Sequence, residues 1–276
     1  MGKHVSFRLL TSEVDIHCDD PRVAEALNYI PVKATQNFPV TNRMNYSVAG
    51  EGPYRIAEND DFLDSVETAD DVLFIVYGRI HRRILERLVH SRWVVLHGGL
   101  ATLNGCRMLL LGHKGSGKTT LSTRLLFSGH QVEGDEMVLV RNGQVLALPR
   151  AFHLKPGIER HAPELAGRLD ELPKKKMGAV DLTAFDPTRF GFEWAIHKAP
   201  VDLVIWVSPN HGGATSLTEL KPFQLIQRIL ESSLGWGEQR NILVAEAARL
   251  GSGGGKELTL GDPESAVRAL EKLSAG

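Results

Sequence analysis

The sequence has little cysteine, no excess of either charge and no long apolar run. Cysteine occurs twice in 276 residues, at Cys18 and Cys106. Cys106 lies in an apolar stretch that reads as a strand, so a disulfide framework is excluded and a reducing compartment is expected. The formal charge of -1 at pH 7 gives no electrostatic footprint for nucleic acid or a membrane surface. No apolar run approaches the ~18 residues of a membrane-spanning helix. The opening Met1-Gly2-Lys3-His4-Val5 lacks a signal-type apolar region. These readings point to a cytoplasmic protein with neither nucleic acid nor membrane as partner. No internal repeat is evident.

What is present describes an ordinary globular chain: 42% hydrophobic and 24% charged residues, enough for a sizeable core. The length exceeds the usual ~100–200 residues of one domain, so two lobes are expected. Residues 1–78 read as a small N-terminal α/β lobe. Its strands are Val5–Leu10, Met44–Val48 and the apolar run Val72–Tyr77; a short helix, Pro21–Leu27, follows an Asp20 cap. This lobe carries no chemical motif and reads as packing support. Residues 79–276 read as a second domain, opening with helically spaced Ile80, Ile84, Leu85, Leu88 and Val89.

The motif around which the second domain is organised is Gly112-His113-Lys114-Gly115-Ser116-Gly117-Lys118-Thr119, which fits G-x-x-x-x-G-K-[ST]. Apolar Cys106–Leu111 ahead of it reads as a buried strand, and Thr119–Leu126 behind it as a helix. Strand, glycine-rich turn and helix together are the context of a phosphate-binding loop. Backbone N–H groups from Gly112 through Thr120 are the candidate phosphate cradle, at a helix N-terminus whose dipole favours anions. Lys118 is expected to reach the β- and γ-phosphates of ATP, and the Thr119 hydroxyl to ligate Mg²⁺. The alternative is a glycine-rich turn that binds nothing.

Two further places carry chemistry. Asn104-Gly105 predicts a hairpin between Gly99–Leu103 and the strand before the loop, which puts His97 at the end of a strand in the sheet that faces the loop. A lone histidine is either structural or functional by position. After the loop helix, Gly129 reads as a C-cap, and Val132–Val140 encloses Asp135-Glu136 before an Asn142-Gly143 hairpin. A carboxylate there suits Mg²⁺ or the proton of an attacking hydroxyl; the alternative is surface charge at a loop end.

The order Leu96-His97-Gly98, Gly112–Thr119, Ser128-Gly129-His130 and Gly134-Asp135-Glu136 resembles the catalytic domain of the HPr kinase/phosphorylase family. The clear match covers about Trp93 to Val140; Leu148–Pro156 and Ala199-Pro200 look similar to the shorter HPr-kinase-related proteins. The resemblance implies an α/β fold: a P-loop kinase core related to phosphoenolpyruvate carboxykinase and HPr kinase, with a mixed sheet and β-hairpins. It implies transfer of the γ-phosphate of ATP, with Mg²⁺, to a serine of a peptide or protein acceptor. By that match Asp135 is the base, His97 lies near the transferred phosphate, and Glu136, the second candidate metal ligand beside Thr119, stands where the family has a second aspartate. The family's acidic-arginine-glycine signature loop is absent; in its place stands Pro149–Lys155, where Arg150 or Lys155 is the candidate transition-state cation. The alternative for either is a solvated strand-end charge. Family members often form hexamers, so a homo-oligomer is an open expectation.

Further along, residues 159–170 read as a helical or loop insertion, and Lys174-Lys175-Lys176 as a solvated basic run. Phe185, Phe190, Phe192 and Trp194 read as packing, Val201–Val207 as a buried strand, and Pro222 as the start of an amphipathic helix. Gly251-Ser252-Gly253-Gly254-Gly255-Lys256 fails as a second phosphate loop, because Leu250 occupies the first glycine position and Glu257 follows the lysine. It reads as a flexible linker. Asp262-Pro263 caps the last helix. Three functions fit: a kinase for a serine hydroxyl, a nucleotide-binding regulator without turnover, and a small-molecule kinase of the same fold.

Overall fold

The computed structural model describes residues 2–177, 180–234 and 239–275. They form two compact units. The first comprises residues 1–87, 149–156 and 167–186; the second comprises 88–148, 157–166 and 187–276.

In the first unit a five-stranded sheet runs in the order Lys3–Leu9, Ser12–Cys18, Asn42–Ala49, Tyr54–Glu58, Asp61–Val66. Its alternation is regular: Val14, Ile16 and Cys18 are buried between outward-facing neighbours, the mark of a half-buried sheet. The expected helix forms at Pro21–Leu27, with Asp20 accepting from the Arg22 N–H at 2.8 Å. The Arg22 guanidinium and the Tyr54 hydroxyl hold the Asp20 carboxyl well below the usual carboxylate range. A three-stranded sheet, Phe152–Leu154, Val180–Phe185 and Lys174–Met177, belongs to the same unit.

Two expectations fail in this unit. Val72–Tyr77 is not a strand: it lies inside the helix Ala69–His90. Val72, Leu73, Val76, Tyr77, Ile80 and Ile84 are buried at helical spacing, while Phe74 is 54% exposed. Thr68 caps the helix, its Oγ1 accepting from the Asp71 N–H at 3.1 Å, and Asp70 and Asp71 sit favourably in the first turn. Nor is the basic run wholly solvated. Lys175 is buried, its ammonium 3.7 Å from the centre of the Tyr77 ring.

The second unit is built on a mixed sheet of eight strands. Its order is Gln144–Ala147, Met137–Arg141, Val94–Leu103, Cys106–Leu111, Leu203–Pro209, Gly255–Leu260, Ser216–Leu220, with Gln131–Gly134 paired to the outer half of Val94–Leu103. Cys106–Leu111, Leu203–Pro209 and Gly255–Leu260 run parallel, and the flanking pairs are antiparallel. Both predicted hairpins form, with positive φ at Asn104 and Gly105 and at Asn142 and Gly143. Met108, Leu109, Leu110 and Leu111 are fully buried, as a central parallel strand requires. Helices Pro222–Glu231, Arg240–Gly251 and Pro263–Ser274 complete the unit, and Asp262 caps the last by accepting from the Ser265 N–H.

The expected linker is likewise corrected. Gly251 ends a helix, and Gly255-Lys256 begin a strand paired on both edges. A Cβ on Gly255 would lie 2.5 Å from the Val204 carbonyl oxygen and 2.9 Å from Leu225, so the glycine answers to close packing. Residues 158–171 form three short 3-10 turns. Among the described residues no helix is long and apolar enough to cross a membrane, and both cysteines are free thiols.

Candidate functional site

The strand Cys106–Leu111 delivers the chain into the glycine-rich loop, and the helix Lys118–Phe127 leaves it. Gly115 (φ 86°) and Gly117 (φ 95°) take left-handed conformations that favour glycine, and the Ser116 N–H donates to the His113 carbonyl at 3.1 Å. Gly112 is buried and leaves no room for a side chain: a Cβ there would meet the Val207 carbonyl oxygen at 2.5 Å and the Ser116 hydroxyl at 2.7 Å. His113, Lys114 and Gly115 form the exposed crest of the loop, while Ser116 and Lys118 are buried beneath it. The helix has no side-chain cap at Gly117, so the N–H groups of Lys118, Thr119 and Thr120 face outward from its first turn. The other end is closed by a Schellman pair, His130 N–H to Leu125 O at 3.0 Å and Gly129 N–H to Leu126 O at 2.9 Å.

Lys118 is folded back on its own loop. Its ammonium donates to the carbonyls of Gly112 (2.7 Å) and His113 (3.0 Å). Burial pushes the Lys118 pKa down to about 8, and the nearby Asp135 and Glu136 carboxylates oppose that fall. One turn further along the same helix face, the Ser122 hydroxyl is fully buried and has no hydrogen-bond partner among the described residues.

His97, Asp135 and Glu136 meet around one crossing of the sheet. His97 lies within the ten-residue strand Val94–Leu103 and opposite Met137, not at a strand end as expected. Gly98-Gly99 does not break that strand. A Cβ on Gly99 would lie 2.7 Å from the Gly134 carbonyl oxygen and 3.1 Å from the Asp135 Cα, so glycine there admits the neighbouring chain. Asp135-Glu136 form the bend between Gln131–Gly134 and Met137–Arg141, with Asp135 buried and Glu136 half-buried. The Glu136 carbonyl accepts from the Gly98 N–H at 3.1 Å and lies 2.9 Å from His97 Nδ1. A carbonyl only accepts, so Nδ1 carries the proton of that bond, which orients the ring.

The second unit thus contains every expected site residue except Arg150. Arg150 belongs to the first unit, as does exposed Lys155. Arg150 is buried there, donating to the Tyr77 hydroxyl and to His153 Nδ1 at 2.9 Å, with its guanidinium over the Tyr77 ring. It is therefore not a solvated strand-end charge. His130, part of the motif order, pairs with Glu271 at 2.8 Å and fastens the last helix.

The residues suit the groups that the motif implies. Glycine-opened loop amides and a buried ammonium are the donor set of a phosphate site. Thr119 with the Asp135-Glu136 carboxylates is an oxygen set of the kind Mg²⁺ takes when phosphates supply the remaining ligands. Among the described residues no three metal-ligating side chains cluster by themselves.

Sequence reading missed the Arg107 pair. Arg107 is buried in the strand before the loop, and its Nε donates to Glu133 at 2.7 Å. The only signal was a basic residue in an apolar strand, and nothing local named its partner 26 positions away. It also missed the fold of Arg228 over the Trp206 ring, which lies perpendicular to the His113 ring of the loop with centroids 5.0 Å apart.

The sequence matches no protein-family model and no curated protein. Among solved structures the chain is similar to the Hpr(Ser) kinase/phosphatase from Coxiella burnetii, at 15% identity and a TM-score of 0.34, over 66% of this chain and 99% of that one. A likeness of that size assigns no residue a role.

Proposed function

We propose that the chain is an ATP-dependent phosphotransferase acting with Mg²⁺ on a hydroxyl, that of a serine in a peptide or protein. The observation that carries this reading is the placing of buried Lys118 at the mouth of an open helix N-terminus, within the electrostatic reach of Asp135 and Glu136. A turn that binds nothing has no reason to bury an ammonium against two carbonyls and hold two carboxylates beside it. The motif order around it, which resembles that of the HPr kinase/phosphorylase family, supports the same reading.

In this proposal the amides from Gly112 to Thr120 hold the β- and γ-phosphates, and Lys118 leaves the loop carbonyls to neutralise charge on the transferred group. Thr119 and Glu136 would hold Mg²⁺, which would supply further neutralisation of the phosphate charge. Asp135 takes the proton of the acceptor hydroxyl. His97, its ring oriented by the Glu136 carbonyl, lies near the transferred group. Phosphoryl transfer demands little covalent chemistry from the protein, so positioning and charge suffice. Arg150 and a homo-oligomeric state stay outside this scheme.

The test is transfer from γ-labelled ATP to a serine-containing peptide library, comparing wild type with Asp135→Asn and Lys118→Ala. Wild-type labelling on serine, lost in both variants with ATP binding kept in Asp135→Asn, is the expected result. Equal labelling by wild type and Asp135→Asn removes the proposed base. ATP binding with no labelled acceptor favours a regulator without turnover.

A further inference from the structure

We propose that Glu133, gripped by Arg107 and Trp194, is the positioning residue for Asp135; this rests on the phosphotransferase reading above. Glu133, Arg107 and Trp194 are all buried. Every acceptor of residue 133 is engaged. Oε1 takes Arg107 Nε at 2.7 Å, Oε2 takes the His197 N–H at 2.8 Å, and the main-chain carbonyl takes Trp194 Nε1 at 2.9 Å. Arg107 is as fully used. Its two terminal nitrogens donate to the carbonyls of Ala199 and Pro200 and to those of Val145 and His197. With Nε on Glu133, all five guanidinium N–H bonds are assigned.

A buried ion pair is weak evidence for stability, since well-packed apolar residues of like volume serve as well. What this one does is fix a short piece of chain. Beyond Glu133, Gly134 is wedged: a Cβ on it would meet Ala147 Cβ at 3.0 Å, and its own carbonyl lies under Gly99. Beyond Asp135, the Glu136 carbonyl is held by the Gly98 N–H and by His97. Asp135 therefore stands on an arch anchored on both sides, with Glu133 as the anchor that is chemically elaborate. A general base has to meet its proton within hydrogen-bond reach, and a misplacement near 1 Å costs up to ~10²-fold in rate.

Glu133→Gln separates the carboxylate from its shape. An amide offers one oxygen to two donors, Arg107 Nε and His197 N–H, so one of them faces an NH₂ group. Trp194→Phe removes the Nε1–H together with part of the buried ring while leaving Glu133 and Arg107 unchanged, and it carries the test if Glu133→Gln does not fold. In the full chain, three quantities are read: ATP affinity by calorimetry, Mg-ATP turnover, and hydrogen exchange of the Gly98 amide, whose bond to Glu136 reports the arch. The expected result is ATP affinity within ~2-fold of wild type, turnover lowered roughly 10- to 100-fold, and Gly98 exchange accelerated while Leu109 and Leu110 stay protected. Unchanged Gly98 exchange overturns the proposal whatever turnover does. Accelerated Gly98 exchange with wild-type turnover also overturns it, and leaves the phosphotransferase reading intact. A wild-type chain with no affinity for ATP overturns both.

Discussion

Two glycine-rich stretches of the second unit have nearly the same composition and opposite uses. In Gly112–Thr119 the glycines at 115 and 117 adopt positive φ, and a helix with no side-chain cap begins at Lys118. In Gly251–Lys256 the chain closes a helix and enters a strand, and Gly255 is glycine because the Val204 carbonyl and Leu225 crowd its Cα. The first stretch opens a helix whose N-terminus has no side-chain cap; the second satisfies its own polar groups in a ladder with Leu203–Pro209 and Ser216–Leu220. Glycine content alone separates neither from the other. What separates them is whether a helix begins or ends at the turn.

That contrast can be broken by substitution, beginning with the largest effect. Lys118→Ala is expected to lower phosphoryl transfer on the order of 10²–10³-fold while urea denaturation shows a stability close to wild type, because the buried ammonium gives up a burial penalty as well as two hydrogen bonds. Gly255→Ala is expected to do the reverse. It costs roughly 1–3 kcal/mol of stability by overpacking against Val204 and Leu225, and ATP affinity of the folded protein stays as in wild type. Loss of nucleotide affinity in folded Gly255→Ala, with Lys118→Ala unaffected, would reverse the assignment of the two stretches.

Two pH effects sharpen it further. Lys118 has its pKa lowered to about 8, so above that pH the free protein presents a neutral amine, and ATP affinity measured by calorimetry is expected to fall by up to ~10-fold per unit. Lys118→Arg, always charged, removes that dependence. The smallest effect lies in the first unit. Burial, followed by the charges of Arg150, His153 and Lys175, pushes the His81 pKa down to about 3, against a Tyr77 carbonyl that pulls the other way. His81 is neutral when folded and gains a proton on unfolding below its ordinary 6.5, so stability is present above that pH and lost as pH falls toward 3. His81→Gln is expected to flatten that acid limb by up to ~1.4 kcal/mol per pH unit and to leave ATP affinity at pH 8 alone.

Much of the fold was legible because its signals are local. Asp20 and Asp262 cap helices that begin with proline, and Asn104-Gly105 and Asn142-Gly143 make the hairpins they predict. The frame of the candidate site was legible for the same reason: strand, turn and helix follow one another within residues 106–127. Val72–Tyr77 was misread because six apolar residues carry no period of their own; only burial at 76, 80 and 84 reveals a helical face. The strand at Gly255 was hidden because its glycines answer to Val204, 51 positions earlier. Arg107 and Glu133 were out of reach altogether, since an ion pair across the sheet leaves no trace in spacing.

Lys118 lying on the Gly112 and His113 carbonyls has a consequence for how the loop greets an anion. If the loop binds a polyphosphate as proposed, the ammonium acts as its plug, and the arriving chain competes with two carbonyl oxygens before it gains a partner. Ligands with too little negative charge to draw the ammonium away leave the plug in place. On that reading discrimination by phosphate-chain length starts at entry, ahead of any contact with the groups proposed to carry out transfer.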